Sequence, residues 1–187
     1  MSVTNRVFRV WATAALLWCG ASSVRAQGSD PTCPYNLASL RGSYAMVGTY
    51  GANLAMLLQA EKFDGAGNLT RTGVLNQPVA GSTDGARTLS TVTSTGTYTV
   101  NCNGTGTIAR DVVQNGTVVG KAYDHFLITA AEKGWPFLAT ALVDAQNDPS
   151  LVVPGGVFVT RVHTRLPDPV PAAHYWEGTA QALPDKK

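Results

Sequence analysis

The ionisable side chains that could carry chemistry in this chain sit at alternating positions within otherwise apolar segments. Glu61 shares its phase with Leu57, Gln59 and Phe63, and Arg161 and His163 share theirs with Val157, Val159 and Arg165. In an extended strand every second side chain lies on one face, so each group has either an inward or an outward reading. Turned inward, a carboxylate among apolar neighbours would have its pKa raised by desolvation. It could then act as acid or base on a small apolar substrate, with Arg161 or His163 holding the charge that develops. Glu61, Arg161, His163 and Tyr44 are the candidate catalytic residues, enough for an isomerase or cyclase that needs few groups. Turned outward, Glu61 is a solvated carboxylate beside the Asp64-Gly65 turn, and Arg161 forms an ordinary surface pair of the kind common across strands.

Other chemistries find less support. Asp124 and His125 are adjacent, and neighbours on a strand point to opposite faces, so they do not form a dyad. No serine stands in G-x-S-x-G, the elbow of one hydrolase class. His125, His163 and His174 are scattered and no H-E-x-x-H occurs, so no metal site is expected, and no motif calls for a cofactor. The G-x-G pairs at Gly65/Gly67 and Gly104/Gly106 lie at turns and lack the βαβ context of a phosphate cradle.

The elements that would position these groups are strands. Eight candidates read along the chain: 41–50, 54–63, 68–75, 87–100, 105–113, 117–129, 135–143 and 151–165. Gly, Asn and Asp cut them, as at Asp64-Gly65-Ala66-Gly67 and Asn115-Gly116, where positive φ is needed. Gly96 is a candidate bulge within the fourth, and Pro154-Gly155-Gly156 a bend in the eighth. With short connections and no convincing helix, the expectation is all-β: a single eight-stranded antiparallel up-and-down barrel, in which closure removes exposed edges. Which strand faces point inward is left open by their mixed composition. The stretch 166–187, with Pro167, Pro169, Pro171 and Pro184, is a Pro-rich tail that cannot continue a central strand. In that tail Tyr175-Trp176, and Trp135-Pro136-Phe137 before the seventh strand, could cap a pocket mouth or pin the tail to the wall.

The N-terminus marks the chain for export. Arg6 and Arg9 precede an apolar run, Val10–Trp18, interrupted only by Thr13, and Val24-Arg25-Ala26 is a small-residue cleavage pattern. The expected organisation is a signal peptide at 1–26, a linker at 27–39, the barrel at 40–165 and the tail at 166–187. No membrane span is expected after cleavage, the run being about half the roughly 20 residues a helix needs. The whole chain carries a formal +2, but the leader holds three arginines and no acid. The mature chain therefore has eleven basic against twelve acidic side chains, a net of −1. That charge excludes the clustered basic footprint of nucleic-acid binding. Of three cysteines two remain, Cys33 and Cys102; in an oxidising compartment an even count points to a disulfide. Closing a loop of about 70 residues would stabilise by roughly 4 kcal/mol in the chain-entropy view. Localisation is expected to be secreted or periplasmic.

Three stretches carry a resemblance: Leu40-Arg41-Gly42-Ser43-Tyr44, Phe63 through Thr70, and Thr95-Gly96-Thr97-Tyr98-Thr99-Val100 with Cys102-Asn103-Gly104-Thr105. Over about residues 33–165 the pattern resembles a group of exported bacterial proteins similar to the allene oxide cyclase-like, calycin-like barrels. The resemblance implies a calycin-like barrel. Related barrels include cyclases, dirigent-type proteins and ligand carriers, and no functional residue carries over. The reading of function puts first a non-catalytic exported barrel whose partner is a small apolar ligand or an envelope component. The alternatives are a lumenal isomerase or cyclase, and a structural protein with a filled barrel. The state of the lumen separates the three.

Overall fold

In the computed structural model, residues 32–50, 55–147 and 159–167 are described. The expected leader at 1–26, residues 27–31 of the expected linker, the first half of the eighth candidate strand with its bend at Pro154-Gly155-Gly156, and most of the expected tail, Tyr175-Trp176 included, lie outside them. Eight strands follow in order: β1 Arg41–Tyr50, β2 Ala55–Asp64, β3 Asn68–Pro78, β4 Arg87–Val100, β5 Thr105–Gln114, β6 Thr117–Glu132, β7 Leu138–Gln146 and β8 Val159–Arg165. Each pairs antiparallel with the next, and β8 pairs with β1 to close an up-and-down barrel. The expected architecture is therefore the observed one.

Local chemistry explains the path. Asp64 Oδ1 accepts from the backbone N–H groups of Ala66 and Asn68, at 2.7 and 2.9 Å, and locks the β2–β3 turn. At the β5–β6 turn Asn115 and Gly116 both take positive φ, 48° and 81°, the two-residue geometry whose twist matches a hairpin.

Several boundaries move. The seventh strand begins at Leu138 rather than Trp135, because β6 runs on to Glu132 and Trp135-Pro136 lies in the turn. The segment before β1 is not a free linker. A short 3-10 turn, Leu37–Ser39, is capped by Asn36, and Tyr35 and Leu37 pack on the barrel's apolar end. Tyr98 donates its hydroxyl to the carbonyls of Leu37 and Leu40, at 3.0 and 2.8 Å. Cys33 is disulfide-bonded to Cys102 in the β4–β5 turn, with Cα atoms 4.9 Å apart. The N-terminal segment thus seals one mouth of the barrel.

Gly96 does not form a bulge: β4 keeps unbroken register with both neighbours through it. The irregularities lie in the pairings of β6 instead. At Gly96 the backbones approach so closely that a Cβ would stand 2.1 Å from the carbonyl oxygen of Ala109 and 2.7 Å from Arg110 Cα.

The interior is layered. Toward the sealed mouth lies a cluster that includes Leu40, Tyr44, Phe63, Leu69, Tyr98 and Phe126. Tyr44, Phe63 and Tyr98 meet edge-on there, with ring centroids 5.4 and 5.0 Å apart. Toward the other mouth lies a second cluster, among it Met46, Leu57, Leu75, Val92 and Val112. Between them every strand places a polar or charged residue, or a glycine, on the inner face.

The close approach at Gly96 generates a test. Gly96→Ala should lower unfolding free energy by about 3 kcal/mol, the upper part of the overpacking range. The neighbouring exposed change Thr97→Ala should stay within about 0.5 kcal/mol of wild type. Urea unfolding of both variants checks the contrast.

Candidate functional site

Inward phase decides which ionisable groups meet. On β2 the inward side chains are Leu57, Gln59, Glu61 and Phe63; on β8 they are Val159, Arg161 and His163. Between the two apolar clusters, β3 contributes Arg71, β5 Arg110, β6 Asp124 and β7 Asp144. All seven charged or titratable groups are buried, six of them to 3% exposure or less. Beside β8, β1 presents Gly48, and the absence of a side chain makes room for Arg161. A Cβ at Gly48 would lie 2.9 Å from Arg161 Cγ.

The groups form one continuous network. Glu61 accepts a short hydrogen bond from Arg71 Nε through one oxygen and faces His163 Nδ1 at 2.6 Å through the other. His163 Nε2 stands 3.0 Å from Asp144 Oδ2, which also accepts from Arg71 Nη2 at 3.4 Å. Asp144 Oδ1 accepts from Arg161 Nη1 at 2.6 Å. Asp124 accepts from Arg161 Nη2 at 3.2 Å and from Arg110 Nε at 3.0 Å. Gln59 donates to the Val92 carbonyl at 3.2 Å. Three donors or hydroxyls in this layer, Arg71 Nη1, Ser94 Oγ and Arg161 Nε, have no hydrogen-bond partner among the described residues.

Electrostatics follow from this pairing. Ionised carboxylates can only accept, so both nitrogens of His163 must donate, which makes the ring an imidazolium. Burial pushes the His163 pKa down, but Glu61 and Asp144 outweigh it and hold the pKa above its ordinary value. Burial would raise the Glu61 carboxyl; the charges of Arg71 and His163 hold it below its ordinary value instead. The same balance, with Arg161, Arg71 and His163 as donors, lowers Asp144. Arg110, at the edge of the layer, is pushed down to about 10 by burial and by Arg161 and Arg71 nearby.

Of the four candidate catalytic residues, three come together here. Glu61 and His163 touch directly, and Arg161 joins them through Asp144. Tyr44 does not join. It is buried in the apolar cluster with its hydroxyl donating to the Ala139 carbonyl at 2.7 Å. The expected rise in the Glu61 pKa is reversed, because burial came with an arginine and an imidazolium rather than with apolar neighbours alone. Asp124 and His125 point to opposite sides as alternation requires, Asp124 buried and His125 exposed. The partners not picked out by sequence are Arg71, Arg110 and Asp144, and Asp124 was weighed only as half of a dyad. Their signal was the apolar phase they interrupt: Leu69-x-Arg71-x-Gly73-x-Leu75, Ile108-x-Arg110-x-Val112 and Leu142-x-Asp144.

Both ring nitrogens of His163 and each carboxylate oxygen of Glu61 thus face a partner within the layer. Comparison with family models, with curated proteins and with solved structures returns no match.

The network sets a pH dependence with two limbs. The His163 contribution is fully present below the ordinary value of 6.5 and is lost as pH rises through the raised folded value. The Glu61 and Asp144 contributions are fully present above 4.5 and are lost as pH falls through the lowered folded values. Thermal scans should therefore show a highest Tm between pH 4.5 and 6.5, and His163→Gln should remove the alkaline limb. Independently, Glu61→Gln should cost about 3–5 kcal/mol by stranding buried Arg71 and His163, measured by urea unfolding at pH 6.

Proposed function

We propose that this protein is an exported, non-catalytic barrel that serves as a structural or binding component of the cell envelope and works through its outer wall. One observation carries the reading: seven buried ionisable side chains bridge the middle of the lumen and pair with one another. A carrier of small apolar molecules needs an apolar cavity, and a charged layer opposes one. A lumenal isomerase or cyclase needs a group free to exchange a proton, whereas Glu61 and His163 are committed to partners.

Export to the periplasm or beyond rests on the leader pattern at 1–26 and is supported by the Cys33–Cys102 disulfide. Membership in the exported bacterial group that resembles calycin-like barrels is part of the same proposal. The closed barrel is consistent with it, and the resemblance itself rests on the residues around Tyr44, Gly65 and Cys102.

Native mass spectrometry of the mature protein, purified from its host's envelope, tests the lumen. The expected result is the chain mass alone, two hydrogens light for the disulfide, before and after denaturation. A small apolar molecule retained by the folded protein and released on unfolding would overturn the reading in favour of a carrier.

A further inference from the structure

One strand gives the charge layer no charge of its own. In the inner phase of β4 stand Ser94 and Gly96, and arginines flank them across the sheet. Arg71 of β3 lies opposite Ser94, and Arg110 of β5 lies opposite Gly96. Ser94 is buried, and its hydroxyl has no hydrogen-bond partner among the described residues. Arg71 is bonded through Nε to Glu61 and through Nη2 to Asp144. Its remaining nitrogen, Nη1, is buried and has no such partner either. It stands 3.9 Å from Asp124 Oδ2, beyond hydrogen-bond reach. That same oxygen accepts from Arg110 Nε at 3.0 Å. Two guanidinium groups therefore flank one carboxylate oxygen, with an unpartnered serine hydroxyl directly across from the first.

The charges of the layer do not balance. Among the described residues it holds Arg71, Arg110, Arg161 and the His163 imidazolium against Glu61, Asp124 and Asp144. Four positive groups face three negative ones, an excess of one. A buried charge without a counterion is strongly unfavourable. The excess falls on the Arg71 and Arg110 side. The imidazolium lies between Glu61 and Asp144, and Arg161 reaches both Asp144 and Asp124. Arg110 pairs with Asp124, which it shares with Arg161 and Arg71. Burial, and the two other guanidinium groups nearby, press against the Arg110 charge.

We propose that one small monovalent anion, of the size and charge of chloride, completes this layer, held in the lumen by Arg71 Nη1, Ser94 Oγ and the Arg110 guanidinium. One negative charge closes the balance, whereas a divalent anion would overshoot it beside Asp124. The serine hydroxyl rotates to donate, and hydrogen bonds to an ion are the strong ones. The close approach of β4 and β5 at Gly96, where a Cβ would stand 2.7 Å from Arg110 Cβ, brings Arg110 to the Ser94 side. The site is structural and independent of what the outer wall contacts. The ion exchanges on dialysis into halide-free buffer, so the chain mass alone remains the mass expected there.

Thermal unfolding of the mature chain at pH 6 tests this, with sodium chloride exchanged for sodium gluconate at constant ionic strength. Chloride should raise Tm. Above its Kd, each tenfold increase should raise the folded-to-unfolded ratio about tenfold, the linkage of a single site. Ser94→Ala removes a donor that has no partner in the protein, so it should keep the wild-type Tm in gluconate. In that variant the chloride concentration at which stabilisation begins should rise about tenfold, the loss of one hydrogen bond to an ion. Thr93→Ala, on the outside of the same strand, should leave the chloride response unchanged. In crystals grown with sodium bromide, anomalous difference density should show bromide in contact with Arg71 Nη1 and Ser94 Oγ. A Tm indifferent to chloride overturns the proposal. So does a chloride response that Ser94→Ala does not move, and so does water alone between Arg71 and Ser94 in the bromide crystals.

Discussion

A buried layer of opposite charges is the constraint on which this barrel depends. Three guanidinium groups, three carboxylates and one imidazole stand in the middle of the lumen with apolar clusters on either side. Each ion removed from water is costly, and the cost is offset only where its partners are in place with good geometry. Those partners come from six different strands, from β2 to β8 with only β4 absent. The network is complete only when the sheet has closed in one register. A one-residue slip in any contributing strand would turn its charge to solvent and strand the others. The layer thus selects a single closed form from among the pairings that a Thr- and Val-rich sheet could adopt.

The rest of the molecule supports that layer. Aromatic rings fill the lumen below it, where Tyr44, Phe63 and Tyr98 interlock. The segment ahead of β1 closes that end, held by the disulfide to the β4–β5 turn, by Tyr98 and by a hydrogen bond from Phe137 N–H to the Pro34 carbonyl at 2.9 Å. Water is kept from the charges on that side, and exclusion of water is what makes their mutual attraction strong. Gly48 and Gly96 serve the same end, by leaving space for Arg161 and by letting β4 and β5 approach.

A lumen committed to internal pairing moves attention to the outside. Closure removes edges, so the wall is left as the surface available for recognition. Its outer face mixes the threonines of β4 with exposed valine and leucine side chains on β1, β2, β4, β6, β7 and β8. The same inner-outer alternation produces both the layer and this face. Along β8, Arg161 and His163 enter the charge layer while Val162 between them faces out.

Much of the fold was legible in the residues. Alternation, turn glycines and Asn-Gly placed eight strands, and β1 and β4 have the bounds read from the sequence. The even cysteine count after the expected leader pointed to Cys33 and Cys102. Local backbone preference decides the strands and turns, and cysteine parity in an oxidising compartment decides the disulfide, so the residues alone report both. Glu61, Arg161 and His163 were recognisable as charges in an apolar phase, but their meaning was not. Phase says that two side chains share a face; it does not say which face is inside or what stands across the lumen. Only closure of the sheet brought Arg71, Asp144 and Asp124, from strands far apart in the chain, to those residues. That assembly reversed the expected shift of Glu61, because a buried carboxylate's protonation is set by its through-space neighbours and not by its place along the strand.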